Sequence, residues 1–222
     1  MIVFAMAALG TAAADDFKGF YVGANGGGVF GRGHVDTSPI FSPTGYFATT
    51  STPAITALSN QTAKPNGFTA GGQGGYNFQW DNFVVGFEAD FGVMNLDGST
   101  TVTGVYPCCA PTAFTVAQNI KTSWMFTARP RMGVVFGQKL LLYETAGLAV
   151  TKLKYSGLFT DTFATAHETA AFDEMRTGYA VGGGGEYRVN HHWSVKGEYL
   201  YVDPSGSDLR GSIVRAGLNW RF

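Results

Sequence analysis

The sequence predicts an all-β fold, an eight-stranded antiparallel up-and-down transmembrane β-barrel with long extracellular loops and short periplasmic turns. Two patterns predict this fold. After residue 15, apolar and polar side chains alternate in eight segments that are long enough to be strands. The connections between these segments are alternately long and short, as they are in barrels of the bacterial outer membrane.

Composition favours a surface that faces lipid. Glycine occurs 31 times in 222 residues, and charged residues make up only 14% of the chain, against roughly 25% in an ordinary soluble domain. The chain has 15 basic and 16 acidic residues, a net charge of −1. It therefore lacks the basic footprint of a nucleic-acid-binding protein.

The first 14 residues form an apolar run that ends in three alanines and precedes Asp15 and Asp16. Such a run with small residues at its end is typical of a secretory signal. Lys18 is the first basic residue, so the positively charged start of a signal is missing. We predict a truncated signal peptide over residues 1–14, with an N-terminal anchor as the alternative, and a barrel domain over residues 15–222.

The first four predicted strands carry bulky apolar side chains on one face and polar or small ones on the other. Their apolar faces consist of Phe20, Val22, Ala24 and Phe30; Phe68, Ala70, Tyr76, Phe78 and Trp80; Phe83, Val85, Phe87, Ala89 and Phe91; and Trp124, Phe126, Ala128, Met132, Val134 and Phe136. Pro130 lies inside the fourth segment, where a closed barrel has no edge for a residue without an N–H group. We therefore expect a bulge or an irregular ladder there.

The last four predicted strands show the same division. Their apolar faces consist of Leu141, Tyr143, Ala149 and Tyr155; Tyr179, Val181 and Tyr187; Trp193, Val195, Tyr199 and Tyr201; and Val214, Ala216, Leu218, Trp220 and Phe222. The long or polar connections are residues 31–66, 96–121, 157–174 and 203–210, and the tight ones are 80–82, 137–139 and 189–191. An even number of strands places both chain ends in the periplasm.

The apolar face is predicted to contact lipid because its aromatic residues cluster near both ends of the segments, as in the two interfacial belts of membrane barrels. The belt near the short turns would consist of Trp80, Phe83, Phe136, Tyr143, Tyr187, Trp193 and Trp220. The belt near the long loops would consist of Phe30, Phe68, Phe91, Trp124, Tyr155 and Tyr179.

The opposite face is predicted to be polar and to line the interior. Its charges could not be buried beside Trp and Phe in a dry soluble core without a prohibitive cost. The expected charge network consists of Glu88, Asp90, Arg129, Arg131, Glu144, Glu186, Lys196, Glu198 and Arg215. Glu88 and Asp90 are expected to pair with Arg129 and Arg131 across adjacent strands. Eight strands enclose room for side chains only, so the pairs would fill the lumen.

Residues 71–92 and 123–150 resemble the small porin-like outer-membrane β-barrel proteins of alphaproteobacteria, relatives of the OmpA-type eight-stranded barrel. The resemblance lies in G-Y-N-x-Q at 75–79, G-x-E-x-D at 86–90 and R-x-R-x-G at 129–133. It implies an integral outer-membrane location and a role as surface antigen and envelope-stabilising protein. It also implies that the end of the chain, with Trp220 and Phe222, is the signal for the barrel-assembly machinery. Pro130 and the cysteine pair depart from the family pattern.

The remaining motifs favour no catalytic, metal or cofactor site. Residues 26–31 fit G-x-G-x-x-G, but the prolines that follow argue against the helix that a nucleotide site needs. Cys108 and Cys109 are adjacent in the second long connection and form either a strained vicinal disulfide or free or intermolecular thiols.

The histidines and the loop hydroxyls are candidates for binding and catalysis. The four histidines fall in predicted loops or turns; they are His34, His167, His191 and His192. They are either solvated loop residues or, in the case of His34 and His167, ligands of a surface site for a metal or haem. Ser99, Asp161 and His167 supply the residue types of a hydrolase, but at no characteristic spacing.

The sequence thus predicts a non-enzymatic structural barrel and surface antigen. A narrow channel for ions or small solutes, and a loop-mediated adhesin or ligand binder, are the alternatives. The expected partners are outer-membrane lipid, lipopolysaccharide and the barrel-assembly machinery, without nucleic acid. The expected state is a monomer or a weak homo-oligomer.

Overall fold

The wall of the molecule is one antiparallel sheet. The computed structural model describes residues 17–35, 52–107, 110–162, 167–206 and 209–222. The elements of these residues are β1 (Gly19–Val35), α1 (Thr52–Ser59), β2 (Gln61–Ala63), β3 (Asn66–Trp80), β4 (Phe83–Val105), β5 (Ala113–Phe136), β6 (Leu140–Asp161), β7 (His167–Arg188), β8 (Trp193–Pro204) and β9 (Leu209–Arg221). The predicted signal peptide and the Cys108–Cys109 pair lie outside the described residues.

The eight long strands close into a ring. Each pairs with the next along the chain, and β1 also pairs with β9, from Tyr21 opposite Arg221 to Gly33 opposite Leu209. The three residues of β2 add to the end of β1 in the register that β3 continues. The predicted eight-stranded antiparallel barrel is confirmed. In the described part of the chain, no helix has the length and the hydropathy needed to cross a bilayer.

The three tight turns lie together at one end of the barrel, here called the short-turn end, opposite the long-loop end. Trp80 pairs with Phe83 across a two-residue turn, and Asp81 in that turn has a φ of 51°. Two-residue hairpin turns need a positive φ, which Asp tolerates better than most residues. The predicted tight connections are therefore confirmed.

The strands differ greatly in length. β4 to β7 have 22 to 24 residues, whereas β1, β3, β8 and β9 have 12 to 17. Residues 96–121 and 157–174 were predicted to be connections, but most of them lie in strands, so this prediction was wrong. The outward aromatic residues of β4 and β5 end at Phe91 and Trp124, but both strands continue with sequence rich in Thr and Val. Residues 96–105, 113–122, 153–161 and 167–174 form a projecting wall, roughly 30 Å long at about 3.3 Å per residue.

Two register shifts mark the start of the projecting wall. Pairing slips by one residue between Val93 and Leu96 on β4 and between Thr122 and Met125 on β5. Bulges are common at barrel rims, where they change the direction of a strand. At Pro130 the expected irregularity is a gap rather than a bulge. The β5–β6 partners skip Arg129 and Pro130 and resume in the same register.

Seven of the eight strands present the predicted face outward. Phe20, Trp80, Phe87 and Phe136, for example, are each at least 51% exposed on the outer surface. β6 was predicted with the wrong face outward. Leu141 and Tyr143 point inward, Tyr155 shares their face, and Leu142 and Leu148 point outward. Leu140, Leu141 and Leu142 are consecutive, so alternation at the start of this strand cannot distinguish its two faces.

Candidate functional site in the barrel interior

A layer of charged side chains fills the lower half of the barrel, near the short-turn end. Each of its members is at most 5% exposed, and they are Glu88, Asp90, Arg129, Arg131, Glu186, Lys196, Glu198, Arg215 and Arg221. This charged layer brings together eight of the nine residues predicted from sequence. Arg221 was missed, although it lies on the same strand face as Arg215, six residues away.

Glu88 is the centre of the charged layer. It lies directly opposite Arg129 in the β4–β5 register, and Arg129 Nη2 donates to Glu88 Oε1 at 3.0 Å. Lys196 Nζ, from β8 across the lumen, lies 2.8 Å and 3.0 Å from the two carboxylate oxygens. Tyr21 of β1 donates its hydroxyl to Oε2 at 2.8 Å. One carboxylate thus connects four strands.

Asp90 and Glu198 share a second set of cations. Arg215 donates to the two oxygens of Asp90 through Nη1 and Nη2, each at 3.0 Å. Its Nε donates to Glu198 Oε2 at 2.7 Å. Arg129 Nη2 also lies 2.8 Å from Asp90 Oδ2. The forked contact of Arg215 with Asp90 has the geometry that makes Arg–carboxylate pairs strong.

Arg131 pairs with Glu88, as predicted, with Nη1 3.5 Å from Oε2. It does not pair with Asp90 and turns toward the short-turn end. Its Nη1 donates to Glu186 Oε2 at 3.1 Å, and Arg221 Nη2 lies 3.3 Å from the other oxygen of Glu186. The Arg131 guanidinium lies between the rings of Tyr21 and Tyr143, 4.6 Å and 5.2 Å from their centroids. At such distances the faces of the aromatic rings attract a cation.

Glycine makes room for the two tyrosines. A Cβ atom at Gly75 would lie 2.4 Å from the Tyr21 hydroxyl oxygen, and one at Gly184 would lie 3.0 Å from that of Tyr143. Inward glycines on β3 and β7 therefore provide the space in which the rings contact Arg131.

The charges of the layer nearly balance. Five cations (Arg129, Arg131, Lys196, Arg215, Arg221) face four carboxylates (Glu88, Asp90, Glu186, Glu198), so the net charge is 5 − 4 = +1. A buried charge that lacks a partner costs several kcal/mol, and paired charges with good geometry offset that cost. The layer can therefore hold β4, β5, β7, β8 and β9 in one register, because most of its pairs join different strands.

Apolar side chains close the lumen on both sides of the charged layer. The lower apolar layer consists of Phe17, Val84, Val135, Leu141 and Tyr143. The upper apolar layer consists of Val29, Met94, Leu96, Met125, Ala149, Ala180, Leu200, Val202 and Ile213. A cavity of about 40 Å³ lies beside the upper layer, enough for a few water molecules at most.

The expectation of a wholly polar inner face was therefore wrong. Glu198 and Leu200 are successive inward residues of β8, and Arg215 and Ile213 are successive inward residues of β9. Short apolar side chains on an inward face carry no aromatic signal, so the sequence pattern did not separate them from the polar positions.

Comparison with known proteins identifies the family. All of residues 1–222 match the outer membrane protein beta-barrel domain. The chain belongs to this outer-membrane β-barrel family. It is 34% identical over 169 residues to the 31 kDa outer-membrane immunogenic proteins of Brucella melitensis and Brucella suis, covering 70% of this chain and 67% of each relative. It is 32% identical to a 22 kDa outer membrane protein of Rhizobium leguminosarum, covering 67% of this chain and 63% of that protein.

Two solved outer-membrane proteins are similar to this chain at low sequence identity. The Ail protein of Yersinia pestis is 15% identical, with a TM-score of 0.42 over 92% of this chain and 99% of that one. Neisserial surface protein A is 14% identical, with a TM-score of 0.45 over 91% and 97% of the two chains. The family match and the outer-membrane relatives establish that the protein is an integral β-barrel of the bacterial outer membrane, as the sequence predicted.

In this outer-membrane barrel, Glu144 is not part of the interior network. Its side chain is exposed on the outer wall, opposite Met132 on β5 and Gly183 on β7. This correction follows from the reversed face of β6. Tyr143 leaves the predicted aromatic belt for the same reason and donates its hydroxyl to Glu198 at 2.9 Å. Tyr155 also leaves it, because it packs against Ile120 and Leu153.

Helix α1, from the first long connection, covers the inner side of the projecting wall. Ile55 of α1 is 2% exposed and packs in a cluster with Tyr106, Phe114, Val116 and Phe159. Gln118 of β5 donates Nε2 to the carbonyl oxygen of Ser59 at 3.2 Å. Burial and the nearby Asp161 carboxylate, 3.3 Å from the hydroxyl, raise the pKa of Tyr106 to about 12.

The other candidate sites gain no support. Residues 26–31 lie within β1, which continues as strand to Val35. Ser99 of β4 pairs with Asn119 of β5, which pairs with Ser156 of β6. Ser156 is five residues from Asp161, so Ser99 and Asp161 are roughly 16 Å apart along the strand direction. The side chains of His34 and His167 lie outside what the structure describes. In the described ranges, no three His, Cys, Asp or Glu residues are grouped to hold a metal ion.

The last residues lie at the short-turn end. Trp220 packs edge-on against Trp193, with ring centroids 4.9 Å apart, and stacks on His192 at 4.8 Å. The Phe222 side chain is 78% exposed, and its backbone N–H donates to the Phe20 carbonyl oxygen at 3.1 Å. The final residue thus pairs with β1 while its ring stays accessible.

Proposed function

We propose that this outer-membrane barrel is a non-conducting structural protein of the envelope whose projecting wall acts as a surface antigen. The observation that carries the proposal is the closed lumen, in which two apolar layers enclose a paired charged layer. An ion crossing it would lose its hydration among aliphatic side chains such as Leu200 and Ile213, which are 0% and 1% exposed. Such desolvation costs several kcal/mol or more.

The projecting wall supports the antigenic role. Its strands continue well beyond the aromatic belts, and its outer face carries exposed polar side chains such as Lys121, Lys154 and Asp173. α1 covers the inner face, so the outer face and the tips are the surfaces that antibodies would contact. The Brucella relatives are named immunogenic proteins. A loop-mediated adhesin or ligand binder would use the same surfaces.

The proposal includes no catalytic activity and no cofactor. The separation of Ser99 from Asp161 along the wall supports this part of it, because a triad needs hydrogen-bonding distance. It includes the barrel-assembly machinery as a partner that recognises Trp220 and the accessible ring of Phe222. It also includes a monomeric or weakly associating barrel surrounded by lipid and lipopolysaccharide.

Conductance in a planar bilayer tests the proposal. We expect purified, refolded protein to give no stable open steps, with folding shown by a mobility difference between heated and unheated samples in a detergent gel. Leu200→Ala/Ile213→Ala provides the control, because removing the upper apolar layer should produce detectable leak. Stable steps in the unmodified protein that Arg129→Met alters would contradict the proposal and favour the narrow channel.

A further inference from the structure

Two arginines lie side by side on the outside of the barrel at the long-loop end. Arg32 of β1 and Arg210 of β9 are direct partners in the β1–β9 register. Both side chains are exposed on the outward face. Like charges directly opposite each other in an antiparallel pair destabilise the sheet. An external anion bound to both guanidinium groups would offset this repulsion.

A lysine extends the pair into a row. Ala63 of β2 lies opposite Gly33 of β1, and the Gly31 N–H donates to the Pro65 carbonyl oxygen at 2.7 Å. Lys64, between these two, therefore lies next to Arg32 on its other side. Lys64, Arg32 and Arg210, here called the cationic row, span three neighbouring chain segments, about 10 Å from first to last.

The cationic row is only partly neutralised by the protein. Arg210 Nε lies 3.6 Å from Asp203 Oδ2, and that oxygen also accepts from the Tyr179 hydroxyl at 3.2 Å. Within the described segments of the chain, no carboxylate oxygen lies within 4.0 Å of a side-chain nitrogen of Arg32 or Lys64. Asp203 therefore pairs with one of the three cations of the row, in a protein whose total net charge is −1.

The surface below the cationic row is aromatic and faces lipid. Phe30 and Phe68, on β1 and β3, are 58% and 56% exposed. Tyr201 pairs with Ser212, which in turn pairs with Phe30. A groove of about 850 Å³ joins the two levels, with the cationic row above and the rings of Phe30 and Tyr201 below.

We propose that the cationic row binds the phosphorylated headgroup of an outer-leaflet glycolipid of the lipopolysaccharide class. Guanidinium groups donate paired hydrogen bonds to phosphate oxygens, and the acyl chains of the same molecule lie along Phe30 and Phe68. A row about 10 Å long matches a headgroup with more than one phosphate. The aromatic surface directly below selects a lipid over a soluble anion, because only a lipid contacts both levels.

Thermal unfolding of the full barrel in phosphatidylcholine vesicles, with and without diphosphoryl lipid A, tests the site. The unmodified protein should unfold at a higher temperature with lipid A, and Arg32→Gln/Arg210→Gln should weaken lipid A binding roughly tenfold or more. Lys152→Gln/Lys154→Gln removes two outward cations of β6 and should leave binding unchanged. Arg32→Lys/Arg210→Lys keeps the charge and should recover part of the affinity, even if the glutamine pair folds poorly.

Two further arms identify the chemistry of the ligand. Dephosphorylated lipid A should give little protection, whereas equal protection would overturn recognition of phosphate. Inorganic phosphate in vesicles without lipid A should not reproduce the effect, whereas equal protection by phosphate would overturn a lipid-specific site. Equal lipid A affinity of the two glutamine variants would overturn the assignment to the cationic row.

Discussion

The charged layer and the upper apolar layer fill the same barrel by opposite means. They use successive inward positions of the same strands, as Glu198 and Leu200 on β8 show. The charged layer depends on direction, because each guanidinium must meet particular oxygens. The upper layer depends on volume, because aliphatic side chains need only fill the space. We infer that the charged layer specifies strand register and that the apolar layers exclude water.

The largest effect is expected from breaking the charged layer. Arg129→Met leaves Glu88 and Asp90 each without one of their cations, and we expect the free energy of unfolding to fall by about 3–5 kcal/mol. Urea unfolding in lipid vesicles, followed by tryptophan fluorescence, measures it. The matched control is Lys121→Met, since Lys121 pairs with Asp97 on the exposed wall and such pairs contribute about 1 kcal/mol or less. Similar losses for the two variants would contradict the account.

A cavity in the upper apolar layer should cost somewhat less. Leu200 is fully buried, and Leu200→Ala should lower the free energy of unfolding by about 3 kcal/mol in the same assay. Leu200→Met keeps the volume and should cost less than about 1.5 kcal/mol. Arg215→Lys keeps the charge but loses the forked contact with Asp90, so we expect it to cost more than Leu200→Met. The reverse order would refute the distinction between direction and volume.

The outer wall provides a third environment for comparison. Ala216 lies outward on β9, opposite Gly197. Near the bilayer midplane an arginine on this face should cost about 2–4 kcal/mol. We therefore expect Ala216→Arg to lower stability by that amount in vesicles, whereas Ser205→Arg, at an exposed position near the long-loop end, should change little. Equal stability of both variants would show that Ala216 does not face lipid.

Glu144 is a charge on the outer wall, outside the charged layer. Its side chain is exposed beside Met132, Val181 and Gly183. Acidic residues on the lipid face cost less than basic ones, so Glu144→Gln should raise the free energy of unfolding by about 1 kcal/mol or less. Glu186→Gln, inside the charged layer, should instead lower it, because Glu186 accepts from Arg131 and Arg221. A loss of stability in Glu144→Gln would contradict the outward placement.

The smallest effect concerns the ionisation of Tyr106, whose hydroxyl contacts Asp161. The pKa of Tyr106 is raised to about 12 from an ordinary value near 10. The folded pKa is the higher one, so the contribution of this phenol is complete below pH ~10 and is lost as the pH rises toward about 12. Tyrosinate absorbance, compared with Tyr106→Phe, gives the titration. In Asp161→Asn the pKa of Tyr106 should fall, and an unchanged titration would exclude the Asp161 contact.

The fold followed from the sequence wherever aromatic residues marked one strand face. Phe83, Phe87 and Phe91 alternate with Glu88 and Asp90, so the two environments differ at every step and the pattern allows one orientation only. On β6 three consecutive leucines removed that difference, and Glu144 and Tyr143 were assigned to the wrong faces.

The candidate site was predictable in membership but not in geometry. Eight of nine network residues followed from strand parity, yet the contact of Arg131 with Glu186 crosses the lumen, and adjacency along the sheet does not give it. The upper apolar layer and the packing of α1 were not predictable. The alternation of apolar residues does not show whether Val, Leu and Ile face lipid or pack against one another.

Accessibility of single cysteines tests the central claim of a lipid-facing, closed barrel most directly. In a background with Cys108→Ser and Cys109→Ser, we expect Ile213→Cys to react with neither a water-soluble nor a membrane-soluble thiol reagent in vesicles. Val214→Cys, the next residue, should react with the membrane-soluble reagent alone, and Ser205→Cys with the water-soluble one. Reaction of Ile213→Cys with the water-soluble reagent as fast as that of Ser205→Cys would contradict the account.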